Sequence, residues 1–154
     1  EPCLQKDLPE FIKQVKELGF AVKLDTNGSF PEMLEKVLPD LDYVAMDIKA
    51  PLEKYSQIVN VDVDTLKILK SIEVLKNGGV DYEFRTTVVK SQLSFEDFEK
   101  IGQLIQGAPR YYLQKFVASK ILDKSLENEK TYSTEEFERI IDILKSYVKA
   151  EVRY

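Results

Sequence analysis

Strand-like and helix-like segments alternate along the 154 residues with few interruptions, and this alternation limits the fold more than any other feature. "DLPEFIKQVKELG" reads as a helix. Asp7 and Glu10 are spaced for a capping box, Pro9 suits a first turn, Phe11, Val15 and Leu18 share one face, and Gly19 ends it. "FAVKLDTN" reads as a strand and "FPEMLEKVLP" as a short helix closed by Pro39. "DYVAMDIK" is the next strand, and "LEKYSQIVN" a loop with one helical turn. Asp64 caps "TLKILKSIEVLKN", with Leu66, Leu69, Ile72 and Leu75 expected inward and Gly78 and Gly79 as the stop. "DYEFRTTVV" is a strand, Ser94 with Asp97 opens a helix, and "RYYLQKFVA" is a further strand. Residues 122–132 read as a polar loop. Ser133 with Glu136 caps a last helix that should bury Phe137, Ile140, Ile141, Leu144 and Val148, and "AEVRY" fits a short final strand.

Such βα repetition implies parallel strands joined by right-handed crossovers. The expected fold is α/β: part of a (β/α) barrel, with about four adjacent parallel strands at 20–25, 43–49, 81–89 and 111–117 and helices on one face. A doubly wound open sheet is the alternative, but its Gly-rich phosphate loop has no counterpart here. Residues 1–154 read as a single domain.

Composition removes several function classes. There are 22 basic and 27 acidic residues, net charge -5, with no basic run to track nucleic acid. Histidine is absent, which excludes Ser-His-Asp and Cys-His catalysis and His-ligated zinc. The one cysteine, Cys3, permits no internal disulfide and fits a reducing, cytoplasmic setting. No apolar run approaches the roughly 20 residues of a membrane span. The opening at Glu1-Pro2, without an initiator methionine, reads as the start of a trimmed or processed chain.

Strand parity singles out the polar residues. Side chains alternate along a strand, so Val44, Met46 and Ile48 should meet the helices while Asp47 and Lys49 point to the barrel interior. The same reasoning sends Lys23 and Asp25 inward, and Glu83, Arg85 and Thr87 opposite Tyr82, Phe84 and Thr86. Inward charges at strand ends are costly unless paired or bound. One outcome is a self-neutralising ion network. The other is a polar pocket at the C-terminal ends of the strands, where barrel active sites sit. A zwitterion would suit such a pocket.

Four stretches in order, "EPCLQ", "LDTNG", "MDIK" and "FRTTVV", resemble the radical S-adenosylmethionine activating enzymes of glycyl radical enzymes. "EPCLQ" resembles the end of that family's Gly-Gly-Glu-Pro motif. "LDTNGSFP" and "YYLQKF" look most like the activating protein of anaerobic ribonucleoside-triphosphate reductase. The resemblance runs from Glu1 to about Phe116. It implies a parent (β/α)6 partial barrel with a [4Fe–4S] cluster at its mouth, held by a C-x3-C-x2-C loop. S-adenosylmethionine on that cluster is reductively cleaved to a 5'-deoxyadenosyl radical, which takes hydrogen from a glycine of the partner. A flavodoxin or ferredoxin supplies the electron in such systems.

Carried over by residue, the resemblance implies that Glu1 is the acid of the turn holding the methionine amino group. Asp25, Thr26 and Asn27 would lie beside the methionine end. Asp47 and Lys49 would reach the ribose hydroxyls and the carboxylate, and Arg85 the carboxylate or ribose side. Asp25, Thr26 and Asp47 could also hold a monovalent cation, which would explain why two neighbouring strands end on acids. No residue here takes a catalytic role beyond cofactor binding.

Departures from the pattern matter equally. No cluster ligands are present: three or four thiolates are needed and Cys3 stands alone. The chain is therefore expected to be the C-terminal part of such an enzyme, inactive alone, with neither S-adenosylmethionine nor cluster bound. Self-association through the edge left beside the first strand is also expected. Two other classes remain open. One is a Schiff-base barrel enzyme with Lys49 as nucleophile, and the other a non-catalytic interaction domain.

Overall fold

The computed structural model describes residues 1–118 and 124–153. Along them run α1 (Leu8–Glu17), β1 (Lys23–Thr26), α2 (Pro31–Val37), β2 (Tyr43–Asp47), α3 (Tyr55–Val59), α4 (Thr65–Asn77), β3 (Asp81–Val88), α5 (Phe95–Leu104), β4 (Tyr111–Lys115), α6 (Thr134–Leu144) and β5 (Ala150–Arg153). The five strands form one parallel sheet in the order β1-β2-β3-β4-β5. Spatial order equals chain order, so every crossover steps the same way. A doubly wound sheet needs a point where the order reverses, and none occurs here. The fold is a partial (β/α) barrel, and the short tail strand adds a fifth member. Among the described residues no helix is long and apolar enough to cross a membrane.

The chain forms two compact units: Glu1–Asp47 with Val61–Phe84, and Ile48–Asn60 with Arg85–Tyr154. In the first, β1 and β2 pair in the register Lys23↔Tyr43, Leu24↔Val44, Asp25↔Ala45, Thr26↔Met46. Paired residues of parallel strands share a face. Leu24, Val44 and Met46 are buried on one face; Lys23, Asp25 and Asp47 share the other, as their parity requires.

Two helix faces differ from expectation. In α1 the buried residues are Leu8 and Ile12, whereas Phe11 (61%) and Leu18 (74%) are exposed and Val15 is half-buried. Neighbouring residues lie about 100° apart on a helix, so two overlapping apolar stripes were available and packing selected the other. Leu4 and Phe20 are exposed as well. Asp7 makes no capping bond, because its backbone (φ -89°, ψ 1°) is not the extended one a cap requires. In α4, Asp64 does cap, accepting from the Leu66 amide at 3.1 Å, but Leu66 itself is 72% exposed. The seated stripe is Ile68, Ser71, Ile72 and Leu75, with Leu69 half-buried. A serine inside that stripe breaks the apolar period and misleads a sequence reading.

In the second unit, residues 52–59 are more helical than expected: a 3-10 turn over Leu52–Lys54 runs into α3, which ends on Asn60 in the left-handed region (φ 57°). The Ser94/Asp97 and Ser133/Glu136 capping boxes both form. Asp97 is buried and accepts from Lys54 Nζ at 2.8 Å, Ser94 N at 2.8 Å and Ser94 Oγ at 2.9 Å. Burial pushes its carboxyl up, but these donors outweigh burial and hold it below the usual carboxylate range. β4 ends at Lys115, short of the expected 117, and pairs with β5 from Tyr111↔Ala150 to Gln114↔Arg153. Of the expected 122–132 loop, Leu122 and Asp123 lie outside the described residues. Its remainder holds a 3-10 turn, Lys124–Leu126, and the buried Tyr132, which packs near the rings of Phe95, Phe98 and Phe137. Phe137, Ile140 and Leu144 are buried on α6, Ile141 is half-buried, and the buried Val148 lies past the helix end.

Candidate functional site

The turn leaving β1 is tethered by several polar contacts. Gly28 adopts φ +75°, which other residues rarely tolerate. A Cβ there would stand 2.1 Å from Met46 Cε. Asn27 Oδ1 accepts from the Ser29 amide at 2.9 Å, an Asx turn that sets the direction of the chain. Glu1 reaches this turn from the start of the sequence. Its Oε1 accepts from Thr26 Oγ1 at 2.8 Å and from the Cys3 amide at 3.1 Å, and its Oε2 accepts from the Asn27 amide at 2.6 Å. Thr26 Oγ1 in turn accepts from the Gly28 amide at 3.1 Å. One carboxylate thus joins the Pro2–Leu4 3-10 turn to the end of β1.

Cys3 lies beneath this junction, 2% exposed, with its sulfur 3.8 Å from Thr26 Oγ1. Burial pushes the thiol up to about 11, against the pull of the Thr26 hydroxyl and with the help of the Glu1 carboxylate. A thiol held protonated is a poor metal ligand. Together with the cysteine count, this means the residues of this chain do not fit an iron–sulfur cluster. Among the described residues no group of three or more His, Cys, Asp or Glu is placed to hold a metal ion.

The remaining expected residues of this unit sit nearby. Asp25 is exposed and ion-paired with Lys23 Nζ at 3.0 Å. Asp47 ends β2, half-buried, one residue beyond the Thr26↔Met46 pair and on the face of Asp25. Thr26 belongs to the opposite face, and its hydroxyl is committed to Glu1 and Gly28. On the Asp25 face, Tyr43 donates its hydroxyl to Glu83 Oε2 at 2.7 Å, and Glu83 is 2% exposed.

In the second unit Lys49 and Arg85 are half-buried. The backbone beside them is clamped from both sides. Ile48 N–H donates to the Arg85 carbonyl at 2.8 Å, and Ile48 C=O accepts from Thr86 Oγ1 at 2.6 Å. Thr86 accepts from Tyr111 Oη at 2.6 Å, and the Lys49 amide donates to Tyr55 Oη at 3.3 Å. Burial raises the Tyr111 phenol far above its ordinary range, so it stays a donor.

Glu1, Thr26 and Asn27 are therefore brought together by hydrogen bonds, and Asp25 and Asp47 share a sheet face. Ser71, Tyr43, Tyr55, Thr86 and Tyr111 were not anticipated as supports. Only Ser71 left a trace in the sequence, as a lone hydroxyl in an apolar helical stripe.

Comparison with known proteins bears on the family and the fold. The Radical SAM superfamily pattern matches residues 1–105. A proposed glycyl-radical enzyme activating enzyme of Methanocaldococcus jannaschii is 35% identical over 155 residues, covering 96% of this chain and 65% of that protein. A 7-carboxy-7-deazaguanine synthase of Thermococcus kodakarensis is 33% identical over 115 residues, covering 74% of this chain and 44% of the relative. This chain thus spans between about two fifths and two thirds of the length of these relatives. A solved domain of pyruvate-formate lyase-activating enzyme from Bacteroides vulgatus has the same fold, with a TM-score of 0.80 at 20% identity over 100% of this chain and 94% of that one. With the superfamily pattern spanning more than half of its residues, the chain belongs to the Radical SAM superfamily.

Proposed function

We propose that this chain is part of an activating enzyme that binds S-adenosylmethionine and removes hydrogen from a glycine of a glycyl radical enzyme. The observation that carries the reading is the grip of the Glu1 carboxylate on Thr26 and Asn27, which fixes a polar turn at the C-terminal end of a barrel strand. The relative matched over 96% of this chain favours the activating role. In the first unit Glu1, Asp25, Asn27 and Asp47 are the proposed contacts to the ammonium and hydroxyl groups, while Thr26, its hydroxyl committed to Glu1 and Gly28, holds the turn that presents them. Asp25 and Asp47, on one sheet face, are also the proposed surroundings of a monovalent cation, beside the backbone of Thr26. In the second, Lys49 and Arg85 are the proposed contacts to the carboxylate. When bound, the cluster and S-adenosylmethionine supply the radical chemistry, and the cluster thiolates come from outside these residues. The proposed partner is anaerobic ribonucleotide reductase, on the wording of "LDTNGSFP" and "YYLQKF", with a flavodoxin or ferredoxin as electron donor.

The deazaguanine synthase relative supports a second reading, in which the same cofactor site serves a small-molecule reaction. The test uses the full-length protein, cluster-loaded under anaerobic conditions, with S-adenosylmethionine and a reductant. A glycyl radical signal on co-incubated anaerobic ribonucleotide reductase, read by electron paramagnetic resonance, is the expected result. Reductive cleavage of S-adenosylmethionine without that signal would favour the second reading. Absence of both, with no turnover of S-adenosylmethionine, would refute the cofactor assignment.

A further inference from the structure

Ser71 is completely buried on the inward stripe of α4, between apolar residues. A serine in a helix can satisfy its hydroxyl locally by donating to the carbonyl four residues back. Ser71 instead donates across to the Gly28 carbonyl at 2.8 Å. From there the chain of donors continues: Gly28 N–H to Thr26 Oγ1 at 3.1 Å, then Thr26 Oγ1–H to Glu1 Oε1 at 2.8 Å. The other oxygen of Glu1 receives the Asn27 amide at 2.6 Å. Every link joins a turn atom to the next, so the position of α4 is transmitted to the carboxylate of Glu1 and the backbone of Asn27. Gly28 has no side chain with which to anchor itself, and Met46 fills the space where one would stand.

We infer that Ser71 is a positioning residue of the cofactor site, holding the 26–29 turn and, through it, Glu1 and Asn27. The inference rests on the cofactor assignment of Glu1 and Asn27 given above. It adds a residue 43 positions away in sequence from the carbonyl it tethers.

Ser71→Ala removes the hydroxyl and keeps nearly all the volume. Amide exchange followed by NMR on the 154-residue chain is the first measurement. The Asn27 and Gly28 amides should exchange about tenfold faster in the variant, while the Val44 and Met46 amides of β2 stay as in the wild type. Ser71→Cys, whose thiol is a weak donor, should lie between the two and serves if the alanine variant folds poorly. The second measurement is calorimetric binding of S-adenosylhomocysteine to the full-length protein, expected to weaken about three- to tenfold. Unchanged exchange at Asn27 and Gly28, or a lowered melting temperature with unchanged affinity, would overturn the inference. Failure of the wild type to bind S-adenosylhomocysteine would instead overturn the cofactor assignment, and the exchange measurement would still decide whether Ser71 holds the turn.

Discussion

The turn after β1 and the strand end after β2 both carry proposed cofactor residues, yet opposite chemistry holds them. At the first, an exposed carboxylate, Glu1, collects donors from Thr26, Asn27 and Cys3. At the second, neutral hydroxyls do the work: Thr86 and Tyr111, 1% and 0% exposed, fix the carbonyl of Ile48. A charged acceptor makes strong bonds and stays close to water, so its partners can be re-solvated when it is lost. A neutral buried network has no such reserve, because an unmade bond there leaves a polar atom in apolar surroundings. The first region should therefore be sensitive to backbone geometry and the second to loss of a single hydroxyl.

The largest effect is expected from Gly28→Ala. The φ of +75° strains any side chain, and the new methyl must displace the tip of Met46 inside the core. Strain and overpacking together should destabilise the chain by about 2–4 kcal/mol. Gly79→Ala is the internal control: its φ is +74°, but nothing lies within 4 Å of the added carbon. It should cost only the strain, about 1 kcal/mol. Equal shifts of the two urea midpoints would show that the Met46 contact carries no weight.

Next in size is Thr86→Val. The shape is kept, but the Ile48 carbonyl and the Tyr111 hydroxyl lose their shared partner in the core. The expected cost is about 2–3 kcal/mol. Thr26→Val in the other region should cost less, about 1–2 kcal/mol, because, of the two partners it leaves, the buried Gly28 amide and the exposed Glu1 carboxylate, the second stays within reach of water. Denaturant titrations of both variants test the contrast directly. A Thr26 loss as large as the Thr86 loss would break it.

Local features of both regions could be read from the sequence, and the long-range ones could not. Parity placed Lys23, Asp25 and Asp47 on one face, because strand alternation depends only on neighbours. The Ser94/Asp97 and Ser133/Glu136 boxes were legible for the same reason, since both partners lie within one turn. Asp7 and Glu10 have equivalent spacing but no box, since the chain enters α1 with the wrong ψ. Glu1 to Thr26, Ser71 to Gly28 and Tyr111 to Thr86 join residues at least 25 positions apart. No spacing rule marks such pairs. The seated face of α1 was missed, and in α4 Ile72 and Leu75 were legible while Ile68 and Ser71 were not, because each helix offers more than one apolar stripe and the choice is made by what packs against it.

The smallest effect concerns Cys3, the chain's one thiol, which reports on the first region alone. A thiol in an unfolded chain titrates near about 8.5, whereas burial pushes Cys3 up to about 11. The folded state therefore favours the neutral thiol. That contribution to stability is complete below the unfolded value and is lost as pH rises through the folded one. The stability difference between wild type and Cys3→Ala should thus be constant from pH 6 to 8 and shift against the wild type above about pH 9. The same shift lowers the thiolate fraction at pH 8. Native Cys3 should then react with iodoacetamide roughly a hundredfold more slowly than the urea-unfolded chain. Mass spectrometry of timed samples gives both rates. Equal rates would mean that the Glu1–Thr26–Asn27 junction opens readily in solution, and the carboxylate would then hold the turn far less firmly than the buried hydroxyls hold the Ile48 carbonyl.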